Sequence, residues 1–216
     1  MKIQELSKIP LEQRDMDWEA RFLEQLVNSK LRILSPDPQM GPDSWPYLMV
    51  STEDSDQNTE PTAKVVEWLS TRGIGMVINP EGEYPDYVLT YGMIWNFKQR
   101  QRFLSPVDRP SSPRQMGSGS LQIVHAGTPT EEYLPQFVRK ILKEFFRDQG
   151  VHGPRILVLS EDRKHYDLAF SAESLGSPPE KEWSGIAEAI SWFLPAHYSI
   201  LITSEKNLPQ FSDLAG

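Results

Sequence analysis

Four histidines are the residues of this sequence best suited to acid–base chemistry or metal binding. They are His125, His152, His165 and His197, and they lie in separate segments without helical i, i+4 spacing to one another. Zinc sites and general-base sites are assembled in space, so the sequence is compatible with a cluster. Three of the four, His152, His165 and His197, fall in predicted turns or at element ends, which favours a solvated or capping role over catalysis.

A second candidate for ligand chemistry is an acidic run with an oxygen-bearing side chain at every second position: Asp54, Asp56, Asn58 and Glu60. An EF-hand calcium loop begins in this way, but it also requires a glycine at its sixth position and a bidentate glutamate at its twelfth. Those positions hold Thr59 and Val65 here. The favoured interpretation is therefore a solvated acidic loop that precedes a helix, and we assign no metal.

Sequence motifs for nucleophilic or phosphate chemistry are absent. The chain has no nucleophile elbow, no phosphate-binding loop and no dinucleotide-binding glycine fingerprint. It also has no cysteine, which excludes disulfides, thiolate nucleophiles and cysteine-ligated metals. The sequence thus predicts no catalytic residue and no cofactor.

One neighbourhood combines aromatic and basic side chains and is the predicted contact patch: Tyr91, Trp95, Lys98, Arg100 and Arg102. Such a patch suits an anionic ligand or a protein partner, because Trp, Tyr and Arg carry much of the binding energy at interfaces. The alternative is that the aromatic residues form core and the basic residues complement the negative end of their helix.

Composition and charge disfavour several classes of function. With 38% hydrophobic and 24% charged residues among 216, the chain is predicted to fold. Its net charge is −8, and both halves are acidic, which disfavours nucleic-acid binding. No stretch has the length and apolar character of a secretory signal or a membrane span. We therefore expect a soluble, cytoplasmic protein with no membrane partner.

Hydrophobic periodicity and turn residues predict an α+β architecture in two domains. The first, 1–104, is a mixed α/β domain of about three helices and four short strands. Residues 1–14 are predicted to be a mobile or loosely docked lead-in, and Asp15 or Asp17 is expected to cap a helix whose core-facing side chains are Trp18, Phe22 and Leu26. The further predicted elements are strands at 31–34, 45–51, 75–79 and 86–90 and helices at 61–72 and 93–104.

A segment rich in proline, serine and glycine, 105–120, is predicted to link this domain to a second one at 121–216. The second domain has the predicted order βαββαβ, which is that of a ferredoxin-like unit. Its alternating stretch Tyr166–Ser171 predicts a half-buried antiparallel strand. No internal repeat is visible between the two halves.

Several short words of the sequence resemble a known family. FLEQLVNSKLRIL, PYLMVST, WLSTRGIG and MVINPEGEYPDYVL together resemble the N-terminal domain of the SseB-type family, named for enhanced serine sensitivity. ILVLS, LAFSA and FLPAHYSILI are similar to the C-terminal region of that family. The resemblance implies an intracellular bacterial α+β protein, and it implies no active site because the family has no established catalytic residues.

Three hypotheses for function follow from these patterns. The favoured one is a non-enzymatic interaction or adaptor protein with protein partners, since catalytic motifs are missing and the surface is acidic. The second is a sensor or regulatory module for a small metabolite such as an amino acid or a nucleotide, by analogy with other βαββαβ modules. The third is an enzyme with a dispersed site of histidines and carboxylates.

Overall fold

The computed structural model describes residues 2–53, 59–106 and 125–216, and it shows a mixed α+β protein with two mixed sheets. The chain divides into two units, Met1–Ser105 and Pro106–Gly216. Most of the predicted linker 105–120 lies outside the described residues. So do the first three side chains of the predicted acidic run, Asp54, Asp56 and Asn58.

The first unit contains four α-helices and six short strands within the described residues. They are α1 (Ile3–Leu6), α2 (Met16–Val27), β1 (Lys30–Ile33), β2 (Gln39–Met40), β3 (Pro46–Ser51), β4 (Thr59–Pro61), α3 (Thr62–Ser70), β5 (Gly75–Ile78), β6 (Tyr87–Leu89) and α4 (Tyr91–Arg100). The strand order is β4-β1-β3-β5-β6, and β2 also pairs with β3. Strands β3 and β5 are parallel and are joined by a crossover through α3, whereas the other pairs are antiparallel.

Helix α2 forms where the sequence predicts it. The Asp15 carboxylate accepts a hydrogen bond from the backbone N–H of Trp18 at 2.8 Å, which satisfies an N–H group that has no partner inside the helix. Trp18, Phe22 and Leu26 are buried, as their spacing predicts. This face of α2 packs on the sheet near its β6 edge, where the Phe22 ring stacks on Tyr87 with 5.8 Å between centroids.

Residues 2–14 are held by specific contacts, so the prediction of a mobile or loosely docked lead-in is wrong for these residues. Helix α1 buries Ile3 and Leu6, and the Leu6 carbonyl accepts a 3.0 Å hydrogen bond from the Trp18 indole N–H. The Gln4 side chain donates to the Thr52 carbonyl at 2.8 Å, at the end of β3. The segment has five apolar residues, Met1, Ile3, Leu6, Ile9 and Leu11, which are too few for a periodic pattern that would have identified the docking.

The second unit contains two α-helices and five strands within the described residues. They are β7 (His125–Gly127), α5 (Gln136–Asp148), β8 (Arg155–Ser160), β9 (Asp167–Ser171), α6 (Trp183–Ser191), β10 (Ser199–Thr203) and β11 (Ser212–Asp213). The strand order is β10-β9-β8-β11, and β7 also pairs with β8. One pair, β9 with β10, is parallel, and α6 lies in the crossover that joins its strands.

The ferredoxin-like prediction is wrong in its strand pairing. The order βαββαβ is present along the chain, followed by β11. In a split βαβ unit, however, the strands that flank the first helix are parallel and separated by another strand. Here β7 and β8 flank α5 and are direct antiparallel neighbours. The sequence pattern gives the order of elements, whereas pairing depends on contacts distant in sequence.

Strand β9 is more buried than its sequence indicates. Its alternation predicts one solvated face, yet Ala169 and Ser171 are as fully buried as Leu168 and Phe170. The reason is the position of the strand, because β9 lies between β8 and β10. Phe211, from the segment after β10, also covers one face of the sheet, where it packs on Leu157, Leu159, Ala169 and Leu201.

The two units share an arrangement that the sequence does not reveal. When the short strands β2 and β4 are left out, the first unit has the order α2-β1-β3-α3-β5, which matches α5-β8-β9-α6-β10 in the second. In both, the first two strands are antiparallel and the second and third are parallel neighbours. The two halves thus share part of their topology, although no repeat is visible between their sequences.

Candidate functional site

The predicted contact patch separates into core and surface. Tyr91 and Trp95 are 0% and 1% exposed, so the prediction that they contact a ligand or partner is wrong. The Tyr91 hydroxyl donates to the Ser70 carbonyl at 2.7 Å, and burial raises the pKa of this hydroxyl. The first seven residues of α4 are all buried, because this helix packs against α3 and the sheet.

The basic members of the patch lie at the end of α4 and just beyond it. The Lys98 ammonium group donates to Glu67 at 2.9 Å and to the Ser70 hydroxyl at 3.2 Å, so it bridges α4 and α3. Arg100 and Arg102 are exposed. Lys98 and Arg100 lie in the last turn of the helix, where positive charge complements its dipole. Without the aromatic members these three residues do not form the predicted site.

The histidines do not converge on a shared site. His165 bonds Asp162 in the turn between β8 and β9, with 2.6 Å between Nδ1 and Oδ2. His125 accepts from the Arg163 Nε at 2.7 Å, and His197 packs edge-on against Tyr198. Over the described ranges no group of three or more histidine, aspartate or glutamate side chains is arranged to hold a metal ion.

The hydrogen bond between His165 and Asp162 closes the turn between β8 and β9, and it makes the stability of the folded state depend on pH. Hydrogen bonds from His165 and from the backbone N–H groups of Lys164 and His165 lower the pKa of Asp162 below its ordinary value of 3.8. A carboxyl group with a lowered pKa in the folded state stabilises that state above pH 3.8, and the contribution is lost as the pH falls through the folded-state pKa.

We expect the substitution His165→Ala to raise the pKa of Asp162 toward 3.8, because it removes the largest cause of the shift. Carboxyl NMR titration of both proteins measures this directly. The substitution His152→Ala is the control, since His152 is exposed elsewhere in the unit and should leave the Asp162 titration unchanged. An unchanged Asp162 pKa in the His165 variant would contradict the assignment.

The carboxyl ends of β9 and β10 carry a polar network. Glu205 forms a 2.6 Å ion pair with Arg155 and accepts from the Ser171 hydroxyl. Beside it, Glu173 accepts from the Ser204 hydroxyl at 2.5 Å, and hydrogen bonds of this kind lower its pKa. Open α/β sheets bind ligands at this end of their strands. In this network, however, the donors and acceptors bond one another.

The equivalent end of the parallel pair in the first unit is organised by Asn79. This residue follows β5 with φ 51°, a left-handed conformation that asparagine tolerates better than most residues. Its side-chain oxygen accepts from the Thr52 N–H at 2.8 Å, and its amide group donates to Asp86 at 2.6 Å and to the Thr52 hydroxyl at 2.8 Å. Asn79 thus joins the ends of β3 and β5 to the segment that enters β6.

An ion pair between Arg14 and Asp86 extends this network to the N-terminal segment. The charged atoms are 2.8 Å apart, and each side chain is only 11% exposed. The guanidinium group also donates to the carbonyls of Ser7, Ile9 and Asp86, at 3.0, 2.9 and 3.1 Å. It lies 4.7 Å from the centre of the Trp18 ring. These bonds fix two segments, 7–16 and 84–88, side by side.

Three large apolar side chains within three sequence positions of Arg14 or Asp86 are 55–83% exposed: Leu11, Met16 and Tyr84. Exposing one such side chain is ordinary, but three on two adjoining segments are a candidate interaction surface. Val88 on β6 is also exposed, but its neighbour Tyr87 packs on α2, so Val88 faces the other side of the sheet. We call Leu11, Met16 and Tyr84 the apolar surface.

The sequence did not predict this surface. Arg14 and Asp86 are separated by 72 positions, and no local pattern links them. Tyr84 lies in the predicted loop between the strands at 75–79 and 86–90, and Asp86 is the first residue of the second predicted strand. No feature of the sequence marks Leu11, Met16 and Tyr84 as members of one surface, because they fall in separate predicted segments.

The protein is thus a mixed α+β protein, and its apolar surface lies on two segments that the Arg14–Asp86 ion pair joins. Comparisons of the chain with protein-family models, with curated proteins and with solved structures find no match. Among the helices of the described ranges, none has both the length and the apolar character needed to cross a membrane.

Proposed function

We propose that this is a non-enzymatic interaction protein that docks a protein partner on the apolar surface of its first unit. The observation that carries the proposal is the exposure of Leu11, Met16 and Tyr84 on the two segments that the Arg14–Asp86 pair joins. Tyrosine and methionine are enriched in protein interfaces, and charged residues are depleted at the centre of such interfaces.

The ion pair supports docking because it holds the surface in place before a partner arrives. Arg14 is bonded to three backbone carbonyls and Asp86 to Asn79, so the two segments are ordered in the free protein. Binding by ordered segments avoids much of the entropy that flexible loops lose when a partner immobilises them. A partner therefore meets a surface that needs little rearrangement.

Photo-crosslinking tests this proposal. We expect a photoreactive phenylalanine analogue in place of Tyr84 to yield an adduct with a partner protein in the native cell, and unmodified protein to compete with it. The same analogue in place of Tyr166 is the matched control, because Tyr166 is an exposed tyrosine of the second unit. The substitution Met16→Asp should abolish the Tyr84 adduct without unfolding the protein, since Met16 is exposed and an acidic residue suits the first turn of α2.

Two results would contradict docking at this surface. Equal adduct yields from positions 84 and 166 would indicate non-specific capture. Adducts at position 84 that persist in the Met16→Asp background would show that the apolar surface does not supply the binding energy.

A small-metabolite sensor is the second candidate, and the network at the carboxyl ends of β9 and β10 favours it. Ser171, Glu205 and Arg155 lie where sheets of this kind bind ligands. A ligand there must exchange its own bonds for those within the network. A thermal-shift screen with amino acids and nucleotides that shows no stabilisation would count against this function.

We retain the SseB-type relationship as a proposal that rests on the sequence words quoted above. Within those words, Gly73 adopts a left-handed conformation after α3, and Asn79 does so after β5. The left-handed backbone explains why the quoted sequence segments have glycine and asparagine at these positions, since both residue types tolerate such angles. The relationship implies a bacterial, intracellular α+β protein and assigns it no partner.

A further inference from the structure

Strand β10 is the last strand in the order of the second sheet, and among the strands of the described residues it pairs with β9 alone. The register between the two strands runs without a bulge from Ser199 to Thr203. The sequence of β10 contains no charged residue and no proline. Proteins usually protect an edge strand with charges, prolines or bulges, because its open row of backbone donors and acceptors can pair with another chain. Strand β10 has none of these protections.

One hydrogen bond shows which backbone groups of β10 face away from β9. The Thr203 carbonyl accepts from the Ala172 N–H at 2.9 Å, so the backbone groups of Thr203 face β9. Backbone groups alternate in direction from one residue of a strand to the next, so Leu201 also faces β9, whereas Ile200 and Ile202 face outward. These outward N–H and C=O groups have no backbone hydrogen-bond partner within the part of the chain that the structure describes.

The side chains of β10 are covered, although the outer edge of the strand is unpaired. Leu201 packs with Phe211 on one face of the sheet, and α6 packs against the strand. Ile200 and Ile202 are 9% and 4% exposed. What this edge offers a partner is therefore hydrogen bonding along the main chain. An extended strand matches that chemistry, because its own donors and acceptors repeat with the same spacing.

The sequence of β10 is symmetric in residue type about Leu201. A hydroxyl side chain stands at each end, an isoleucine stands at the second and fourth positions, and leucine stands at the centre. In an antiparallel pair of two copies centred on Leu201, Ser199 lies opposite Thr203, Ile200 lies opposite Ile202, and Leu201 lies opposite itself. Apolar pairs and hydroxyl pairs are favourable across an antiparallel ladder, and no like charges are opposed.

The same register also brings the unpaired backbone groups together. Ile200 of each copy and Ile202 of the other, whose backbone groups face outward, form hydrogen-bonded pairs that exchange both N–H···O bonds. Leu201, whose backbone groups face β9, takes the non-hydrogen-bonded position between them. The direction of the backbone and the residue types thus select the same register. A second copy of the chain already contains this match, whereas a foreign strand would have to supply it.

We infer that β10 is a dimerisation edge, to which a second copy of this chain adds its own β10 and so joins the two sheets into one. The contact is isologous, because both copies use the same five residues, Ser199–Thr203. Since the pair occupies the β10 edge of both copies, the assembly closes at two chains. The inference goes beyond the docking role, which concerns the first unit.

Cysteine crosslinking of the full chain tests the register, because the chain has no cysteine of its own. We expect Leu201→Cys to form a disulfide-linked dimer with oxidised glutathione, since Cα atoms of a non-hydrogen-bonded pair lie about 4.5 Å apart, within the range that a disulfide spans. The control is Ser199→Cys. Ser199 is more exposed than Leu201, but in this register it lies about 14 Å from its counterpart, four positions along the strand. It should form no disulfide.

Amide hydrogen exchange of the unmodified chain tests the pairing without a substitution. At concentrations where sedimentation shows a mass of twice 24.7 kDa, the Ile200 and Ile202 N–H groups should be protected, and dilution to the monomer should remove this protection. The N–H groups of Leu201 and Thr203 are the internal control. They face β9, so they should stay protected at both concentrations.

Four results would overturn the inference. The first is a chain that stays monomeric with unprotected Ile200 and Ile202 amides. The second is an equal disulfide yield from positions 199 and 201, which would indicate non-specific oxidation. The third is a dimer that forms no disulfide at position 201, since it would use another surface, and the fourth is growth into fibres, since the contact would then fail to close. None of these results bears on the crosslink from position 84, which tests docking on the first unit.

Discussion

Replacing Asp86 by alanine is expected to lower the free energy of unfolding of the first unit by about 3–5 kcal/mol. The substitution leaves the Arg14 guanidinium group buried without its carboxylate, and it removes an acceptor for the Asn79 amide. Breaking a buried pair on one side costs far more than the intact pair contributes, since the remaining charge stays out of water. Hydrogen exchange of the β5 and β6 amides measures the loss in this unit specifically.

The control for Asp86 is a second ion pair in the same unit. Arg32 and Glu53 are 3.2 Å apart and their side chains are 32% and 68% exposed, so the substitution Glu53→Gln should change stability by less than about 1 kcal/mol. Adding Arg14→Met to the Asp86→Ala variant should restore part of the stability, because it removes the uncompensated charge. A further loss in the double variant would show that the carbonyl bonds of Arg14, and not its charge pairing, dominate.

Replacing Gly75 by alanine is the second change for which we expect a large effect. A Cβ atom at this position would lie 2.6 Å from the Leu89 carbonyl oxygen and 2.7 Å from two ring carbons of Tyr47. The carbonyl belongs to the backbone of β6, so relief requires β5 and β6 to separate or Tyr47 to leave its buried site. Overpacking of this kind typically costs about 1–3 kcal/mol, and chemical denaturation of the variant measures it.

Gly127 provides the matched comparison for Gly75. It also lies in a strand, β7, but a Cβ atom there would have nothing within 4 Å. The substitution Gly127→Ala should therefore change stability by no more than about 0.5 kcal/mol. Similar losses from both substitutions would indicate that strand glycines in this protein matter for their flexibility and not for the space they leave.

Local patterns predicted the elements of this fold well. The spacing of Trp18, Phe22 and Leu26 identified α2, and Asp15 caps it. Pro46 begins β3, as a residue without a backbone N–H should. In each case the decisive interactions lie within a few residues along the chain, so a single sequence contains the information.

Pairing and burial were less predictable, because they depend on distant residues. The position of β9 between two strands, and not its alternation, determines the burial of Ala169 and Ser171. Trp95 resembled an interface residue, yet it is buried because α3 and the sheet enclose the first seven residues of α4. The apolar surface depends on a bond between residues 14 and 86, which no window of the sequence contains.

The bond between Arg14 and Asp86 has a consequence for the order in which the chain folds. During synthesis the segment 2–14 leaves the ribosome well before β6, so its docking must wait until the loop of 72 residues can close. Until then α1 can contact α2 through the Trp18–Leu6 hydrogen bond, but the segment lacks its ion pair with Asp86. Residues 2–14 are thus synthesised before most of the first unit, and their last bonds form only after Asp86 has been made.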